Sequence, residues 1–551
     1  MTSGGEAYLF VRQASEHGYV PPSISKPATA SKAVPAAAGI LSAAAGLAAA
    51  ELAAGLFGTT ATPVVVVGAT FIDVIPTSVR EFGIELLGTA DKPVLIAGIL
   101  AILGGLAAWS GIAGARSLRT GLGILGVLAL VGVLAAVFRP GASVVTVLPS
   151  VTAGVVACGV LAWLLRTYER HGPVPSREEG SDTATEDSTV AGAQRRALLR
   201  AGGVVVAGSL AAGLVGRGIA GVTSHRTAVR DAREKLRLPP IPRTTPPAGV
   251  DVSVSGSTPW LTPNGEFYRI DTALSVPLLE VADWQLRVHG MVERELTLSF
   301  ADLLRRPIIH RYVTLACVSN PVGGNLAGNA LWSGVPLAEI LAEAKVKPGA
   351  DAVKSTSQDG WTCGTPLSAL TDGRPAMLAF AMNGQPLPFE HGFPVRMVVP
   401  GLYGYVSATK WVVDIEITRF DQFDAYWTTR GWAEQGPIKT ASRIDVPRPG
   451  GTVPAGEVVV AGVAWAQHRG ISRVEVRVDE GPWHTALLAA QPTKDSWRMW
   501  TWTWQARPGR HQLQVRATDG TGETQTGAFA PPAPDGATGW HTVEVTVADP
   551  A

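Results

Sequence analysis

The feature that most limits how this chain can fold is the stretch 33–165, whose only charged residues are Glu51, Asp73, Arg80, Glu81, Glu85, Asp91, Lys92, Arg116, Arg119 and Arg139. Soluble domains usually give about a quarter of their residues to Asp, Glu, Lys and Arg. An apolar run this long is not one water-soluble core; it needs a bilayer. About 20 apolar residues cross the hydrocarbon region as a helix. Four stretches meet that requirement: Pro35–Phe57, Leu95–Ala115, Thr120–Phe138 and Gly141–Leu165. Pro63–Pro76 is too short and carries Asp73, so it is expected at the interface. A fifth stretch, Ala201–Gly216, is short and glycine-rich, and Gly218–Thr223 extends it. The N-terminal part is therefore expected to be an all-α transmembrane bundle of about five helices.

Basic residues orient such a bundle. Lys26 and Lys32 precede the first span, Arg116 and Arg119 separate the second and third, and Arg166 and Arg170 follow the fourth. All face one side if the N-terminus is cytoplasmic. Five crossings then put everything after about residue 223 outside the cytoplasm, giving a multi-pass cell-membrane protein with an extracytoplasmic soluble half. Before the fifth stretch, Gln194-Arg195-Arg196-Ala197-Leu198-Leu199 reads as a twin-arginine (Tat) signal or as an ordinary positive-inside flank. No span contains a histidine, which argues against a bis-histidine haem in the bundle. Glu51 is the one charge within a span. Intramembrane acids are functional candidates, but its place near the outer end also fits snorkelling to the interface.

The rest of the chain has a different composition. Fourteen of the 16 tryptophans follow residue 250. The net charge is +1 and no basic cluster stands out, which argues against nucleic acid as a partner. Three cysteines, Cys158, Cys317 and Cys363, build no disulfide framework, and the absence of CxxC and CxxCH removes zinc-ribbon and c-type haem readings. The expected organisation is a tail (1–33), the transmembrane region with its twin-arginine loop (34–223), a linker (224–249) and an α+β domain (250–439). An all-β domain (440–551) completes it. Prolines between 236 and 263 stiffen the approach to the α+β domain. In that domain Ala282–Gly290 and Trp411–Ile417 alternate like strands, and Ser299–Leu304 and Ala338–Ala344 read as short helices. Beyond it, Val458–Val463, Val474–Val478, Met499–Trp504 and Gln512–Ala517 read as strands at sandwich spacing. Trp500, Trp502 and Trp504 share one face there, a stripe expected to be core.

Cys317 ends an apolar strand, Arg311 to Ala316, and opens a loop rich in Gly and Asn. A thiolate so placed can be a nucleophile or a soft-metal ligand; a core cysteine is the plainer alternative. His391 and Arg396 flank a proline-bounded turn, and Lys410 follows the glycine turn at Gly401–Gly404. An imidazole, a guanidinium and an ammonium converging with backbone N–H groups suit a phosphate-bearing cofactor. Cys363, His289 and His310 are expected to be structural.

Four motifs in this order, LACVSN, GNALWSGVPL, MNGQPLPFEHGFPVRMVVPG and VSATKWV, resemble the sulfite oxidase family of molybdenum enzymes. The resemblance covers roughly residues 250–545. It implies a molybdenum–molybdopterin cofactor with one protein thiolate on the metal, Cys317, in a loop with Asn320. It places His391, Arg396 and Lys410 on the pterin phosphate and Arg269 near the metal as a substrate-facing cation. It also implies that the C-terminal domain is an immunoglobulin-like sandwich serving homodimerisation. No haem domain is expected in the chain, so electrons would pass to a separate cytochrome or quinone-linked partner. Two departures bear on substrate. Where the family has arginines after CxxN, this chain has Pro321, Val322 and Gly323, and Trp427 is followed by Arg430, Gly431 and Trp432 with no tyrosine. Fewer cations weaken a dianion site. The expected activity is oxygen-atom transfer on a small sulfite-like oxyanion, with S-oxide or N-oxide reduction as the alternative. A non-catalytic membrane-held binding protein is the reading from outside enzymology.

Overall fold

A computed structural model describes residues 32–57, 59, 61–75, 79, 91–139, 142–170, 202–211, 225–242, 245–273 and 276–549. The twin-arginine segment lies outside the described residues. Four helices are long and apolar enough to cross a membrane. They are α1 (Ala33–Leu56), α3 (Asp91–Gly114), α4 (Leu118–Val137) and α5 (Val144–Arg170). At 1.5 Å per residue, the 24-residue α1 spans about 36 Å, enough for a bilayer core of about 30 Å. Between α1 and α3 lies α2 (Pro63–Val74), the expected interfacial segment. Of the fifth expected crossing, the described part is α6 (Gly202–Ala211).

Helices this apolar would gain little in lipid from hiding apolar surface, and these associate through close packing of small residues. A Cβ at Gly39 would stand 1.9 Å from the Ala107 carbonyl oxygen, and one at Gly111 1.8 Å from that of Pro35. Only glycine lets α1 and α3 approach this closely. Leu130, Val131, Leu134, Val155 and Trp163 face outward and are exposed.

The half that follows the apolar helices opens where a linker is expected. Residues 225–235 form α7 (His225–Lys235), and its Val229 is fully buried among Phe267, Trp332 and Phe393. Two sheets follow. The first has strand order β2-β1-β10-β5-β6, where β1 is Gln285–Gly290, β2 Leu296–Ser299, β5 Ala352–Ser357, β6 Thr362–Pro366 and β10 Val412–Thr418. Only the β1–β10 pair is parallel. The second runs β3-β4-β7-β8, with β9 on β7; these are Ile309–Ala316, Ala327–Pro336, Met377–Met382, Gln385–Pro386 and Arg396–Val398. All six residues of β7 are buried. One core joins β1, β5 and β10 to Leu378 and Phe380 of β7, and a second, around Trp332, covers the other face. Ser299 caps the helix Phe300–Leu304 in a reciprocal capping box with Asp302.

The C-terminal half-domain packs two antiparallel sheets on a shared core. The longest strands are β13 (Gly456–Trp465), β14 (Ile471–Val478), β17 (Arg498–Ala506) and β18 (Gly509–Asp519). With β11 (Ala441–Val446), β12 (Thr452–Val453), β15 (His484–Thr485), β16 (Leu487–Leu488) and β19 (His541–Val547), one sheet is β11-β13-β17-β16 and the other β12-β19-β18-β14-β15, β12 alone being parallel to its neighbour. Trp500 and Trp504 lie in this core and Trp502 packs at its edge. The sandwich grips β3 directly. Gln467 Nε2 donates to the Thr314 carbonyl at 2.8 Å, the Trp497 amide donates to Thr314 Oγ1 at 2.8 Å, and the Thr314 amide donates to the Asp495 carbonyl at 2.9 Å. The brace falls three residues before Cys317.

Candidate functional site

β3 delivers Cys317 to the neck of a closed loop. The Cys317 amide donates to the Leu326 carbonyl at 2.9 Å, and Asn320 Oδ1 accepts the Leu326 amide at 2.8 Å. Asn320 thus shapes the loop. Its far side faces a cavity of about 660 Å³ between the two domains, lined also by Tyr403, Lys439 and Arg469. Burial pushes the Cys317 thiol up, while the Ser319 amide and hydroxyl and the Lys410 charge oppose that and favour the thiolate. Among the described residues, no group of three or more His, Cys, Asp or Glu side chains gathers to hold a metal. A metal at Cys317 would therefore draw its other ligands from outside such a cluster.

Three further expected residues are grouped by one turn. His391, Arg396 and Lys410 meet at Gly392, whose φ is 106° and where a Cβ would fall 3.0 Å from Arg396 Cβ and 3.1 Å from Lys410 Cα. His391 is 4% exposed, and its Nε2 lies 3.1 Å from the Asn264 carbonyl, which assigns the proton to Nε2. Burial first, then the Arg396 and Lys410 charges, hold this imidazole down at about 4, so it is neutral at pH 7. Lys410 is lowered to about 8 by burial, against the Asp271 carboxylate 3.1 Å away. Arg269 reaches the same carboxylate at 2.9 Å and is 40% exposed, so it stands at the rim.

Arg396 is the most telling group. It is 4% exposed, lies over the Trp332 ring at 4.9 Å, and donates only to the carbonyls of His391, Met397 and Ala408. Among the described residues no carboxylate pairs with it. A buried cation without a counter-charge is costly. The cluster holds Arg269, Arg396 and Lys410 against Asp271, so its excess charge is positive and it is suited to an anion. A phosphate on a cofactor whose metal binds the Cys317 sulfur fits both requirements.

Sequence reasoning missed Tyr268 and Asp271, although both flank Arg269. Tyr268 stacks on Phe267 with ring centres 5.3 Å apart, and Phe267 in turn meets His391 edge-on at 5.5 Å. Burial and the neighbouring Cys317 push the Tyr268 phenol up, keeping it a neutral donor. The residues set aside are structural. Cys363 is fully buried near Thr365, His289 pairs with Asp414 at 3.0 Å, and His310 Nδ1 lies 2.8 Å from Ser333 Oγ.

This fold and donor set define a molybdopterin-binding oxidoreductase, and the family model for the oxidoreductase molybdopterin binding domain matches residues 273–427. The chain is 31% identical to the sulfite oxidase of Gallus gallus over 320 residues, covering 49% of this chain and 69% of that one. It is 29% identical to the mitochondrial sulfite oxidase of Homo sapiens over 323 residues, again 49% of this chain but only 58% of the human one. A solved structure, the sulfane dehydrogenase SoxCD of Paracoccus pantotrophus, aligns with a TM-score of 0.46 at 28% identity, over 52% of this chain and 81% of that one. The chain belongs to the sulfite oxidase family. It is a molybdenum-dependent oxidoreductase whose cofactor is molybdenum–molybdopterin.

Proposed function

We propose that the protein is a membrane-held oxidoreductase that moves an oxygen atom to or from a small sulfur substrate, exchanging electrons with a separate cytochrome or quinone-linked partner. The observation that carries this reading is the uncompensated, buried Arg396, clustered with Lys410, whose charge is felt at Cys317. Cys317 is the metal ligand, its thiolate favoured by the Ser319 donors and the Lys410 charge. Arg396 and Lys410 hold the pterin phosphate, and the neutral His391 completes that cradle. Because His391 Nε2–H is committed to Asn264, its free Nδ1 is the atom that takes up a proton when a dianion arrives. Asn320 keeps the ligand loop closed, and Arg269 at the rim is the substrate-facing cation. Tyr268 offers a neutral donor to a substrate oxygen. Bound molybdopterin supplies the redox-active metal that exchanges oxygen; the protein supplies ligation, orientation and field. The four long helices hold this site at the membrane, with the catalytic half on the extracytoplasmic side. The C-terminal sandwich is the immunoglobulin-like dimerisation module.

One observation favours reduction of an S-oxide or N-oxide over oxidation of sulfite. Pro321, Val322 and Gly323 bring no cation to the inter-domain cavity, and its two cations are already paired, Lys439 with Asp535 at 2.8 Å and Arg469 with Asp519 at 2.7 Å. Asn320 joins this cavity to the Cys317 loop, and a substrate that approaches from the cavity meets a wall better suited to a neutral polar molecule than to a dianion. The test uses the full chain from a host that makes the cofactor, wild type beside Cys317→Ser. The expected result is about one molybdenum per wild-type chain and altered metal absorption in the variant. Wild-type absorption and turnover in Cys317→Ser would overturn the ligand assignment. Sulfite oxidation with an artificial acceptor, set against S-oxide reduction with an artificial donor, then decides the direction.

A further inference from the structure

The helix α7 follows the membrane half and docks on the loop that carries His391. Its sequence, HRTAVRDAREK, is polar almost throughout, which suits a solvated spacer. Two residues one turn apart on the same face give it another use. Val229 is fully buried among Phe267, Trp332, Leu387 and Phe393. Arg233 aims its guanidinium fork at two consecutive carbonyls: Nη2–H donates to Pro386 and Nε–H to Leu387, both at 2.7 Å. The guanidinium also lies 5.7 Å from the centre of the Phe389 ring. Beyond the helix, Leu236, Leu238 and Ile241 pack on the catalytic core, so the segment is seated along its length.

The Pro386–His391 loop is thereby held from two sides. From within, Arg396 Nη1 donates to the His391 carbonyl at 3.1 Å and Trp411 Nε1 to that of Phe389 at 2.9 Å. From without, Arg233 holds the two residues where the loop leaves the short strand β8. A planar fork matched to two acceptors fixes direction as well as distance, which a single ammonium does not. The loop positions the imidazole that faces Asn264, so motion at Pro386 and Leu387 is passed to His391 through three intervening residues.

We infer that Arg233 is a positioning residue: it clamps the His391 loop, and the juxtamembrane helix thereby sets how firmly the cofactor phosphate is retained. This rests on the proposed role of His391 as part of the phosphate cradle. The experiment uses the full chain, loaded with cofactor and held in detergent, and follows pterin release by fluorescence in wild type, Arg233→Ala, Arg233→Lys and His391→Ala. Val474→Ala, a truncation in the fully buried sandwich core, serves as a control for general destabilisation. Arg233→Ala is expected to release pterin about tenfold faster, the loss of two charge-assisted hydrogen bonds. Turnover per bound molybdenum, KM and metal absorption should stay at wild-type values. Arg233→Lys should recover part of the retention, and Val474→Ala should release at the wild-type rate. If His391→Ala releases faster while Arg233→Ala does not, the clamp is overturned and the cradle stands. If neither changes release, the reading of His391 is what falls. If Val474→Ala, at equal loss of melting temperature, accelerates release as much as Arg233→Ala, the arginine is merely structural and the inference fails.

Discussion

In the apolar N-terminal half, whose helices are long enough to cross a bilayer, α1 and α3 meet through glycines whose backbones nearly touch, and exposed leucines and valines face outward. In the catalytic half, strands bury tryptophans beside polar side chains such as Thr314, Asn329, His391 and Arg396. The contrast follows from the surroundings of each. Lipid gives no reward for hiding apolar surface, so helices there rely on close van der Waals contact and tolerate many apolar sequences. Water does reward it, and a polar group buried along the way must find a partner. Two buried hydroxyls in the bundle find main-chain carbonyls, Ser42 that of Ala38 within α1 and Ser110 that of Gly121 on the next helix. Asn329 satisfies it across the domain, through Thr262, Thr314 and the Trp260 carbonyl. Arg396 finds carbonyls but no counter-charge. Among the described residues Arg396 is thus a buried cation whose recorded hydrogen bonds all go to main-chain carbonyls, a setting that suits an anion.

If chemistry and anchoring are divided this way, the largest separable effect should come from Cys317. Cys317→Ser is expected to abolish turnover while the bundle remains inserted and stable in detergent; loss of both together would erase the division. Next in size is the response to acid. His391 has a folded pKa of about 4 against 6.5 in a free chain. Below pH 6.5 the unfolded state gains a proton that the folded state refuses, so the cofactor-free catalytic half loses stability as pH falls from about 6.5 to about 4. The contribution is about 3 kcal/mol. His541, also held at about 4 by burial and Arg443, adds to the same slope, so His391→Gln should remove only part of it. The spans contain no histidine, and their unfolding should be flat over that range. Denaturation of the cofactor-free chain at pH 7, 5.5 and 4, followed by tryptophan fluorescence, reads this out. Third is Gly111→Val, which drives a side chain into the Pro35 carbonyl and should weaken the α1–α3 contact by about 1–3 kcal/mol. Molybdenum content should not change; a fall would show that bundle packing reaches the site.

The residues readable from sequence share a property: their roles are local. The spans show as runs without charge, and the Trp500–Trp504 stripe shows as alternation. Cys317, His391, Arg396 and Lys410 each sit in a short motif. What escaped reading depends on contacts between distant parts of the chain. Asp271 matters because Lys410, 139 positions away, reaches it, and Arg233 because Leu387 lies 154 positions on. The polar helix α7 reads as a spacer because Val229 is its one clear anchor, too little to make a periodic pattern. Tyr268 was visible beside Arg269, but nothing in its neighbours signals that the fold turns it toward Cys317.

Among the described residues, Asp73 meets the catalytic half, and the chemistry of that contact sets the smallest expected effect. At the end of α2, Asp73 Oδ1 accepts the Tyr426 hydroxyl at 3.0 Å. Arg430 donates to the Asp73 main-chain carbonyl at 2.9 Å and lies over the Tyr426 ring at 3.6 Å. Behind this pair, Trp427, Trp432 and Tyr405 pack ring on ring toward the catalytic core. The carboxylate of Asp73 is 46% exposed and 4.0 Å from Arg430, so its charge contributes about 1 kcal/mol at most. Asp73→Asn keeps an oxygen for Tyr426 and leaves the main-chain carbonyl untouched, so hydrogen exchange over residues 425–432 should rise less than about twofold. Arg430→Ala removes the donor and the stacked cation together and should raise that exchange by about fivefold. Equal effects from both variants would mean that the carboxylate, not the main-chain bond and the stacking, joins the membrane half to the catalytic half. The contact would then weaken steeply with salt, which a main-chain hydrogen bond would not.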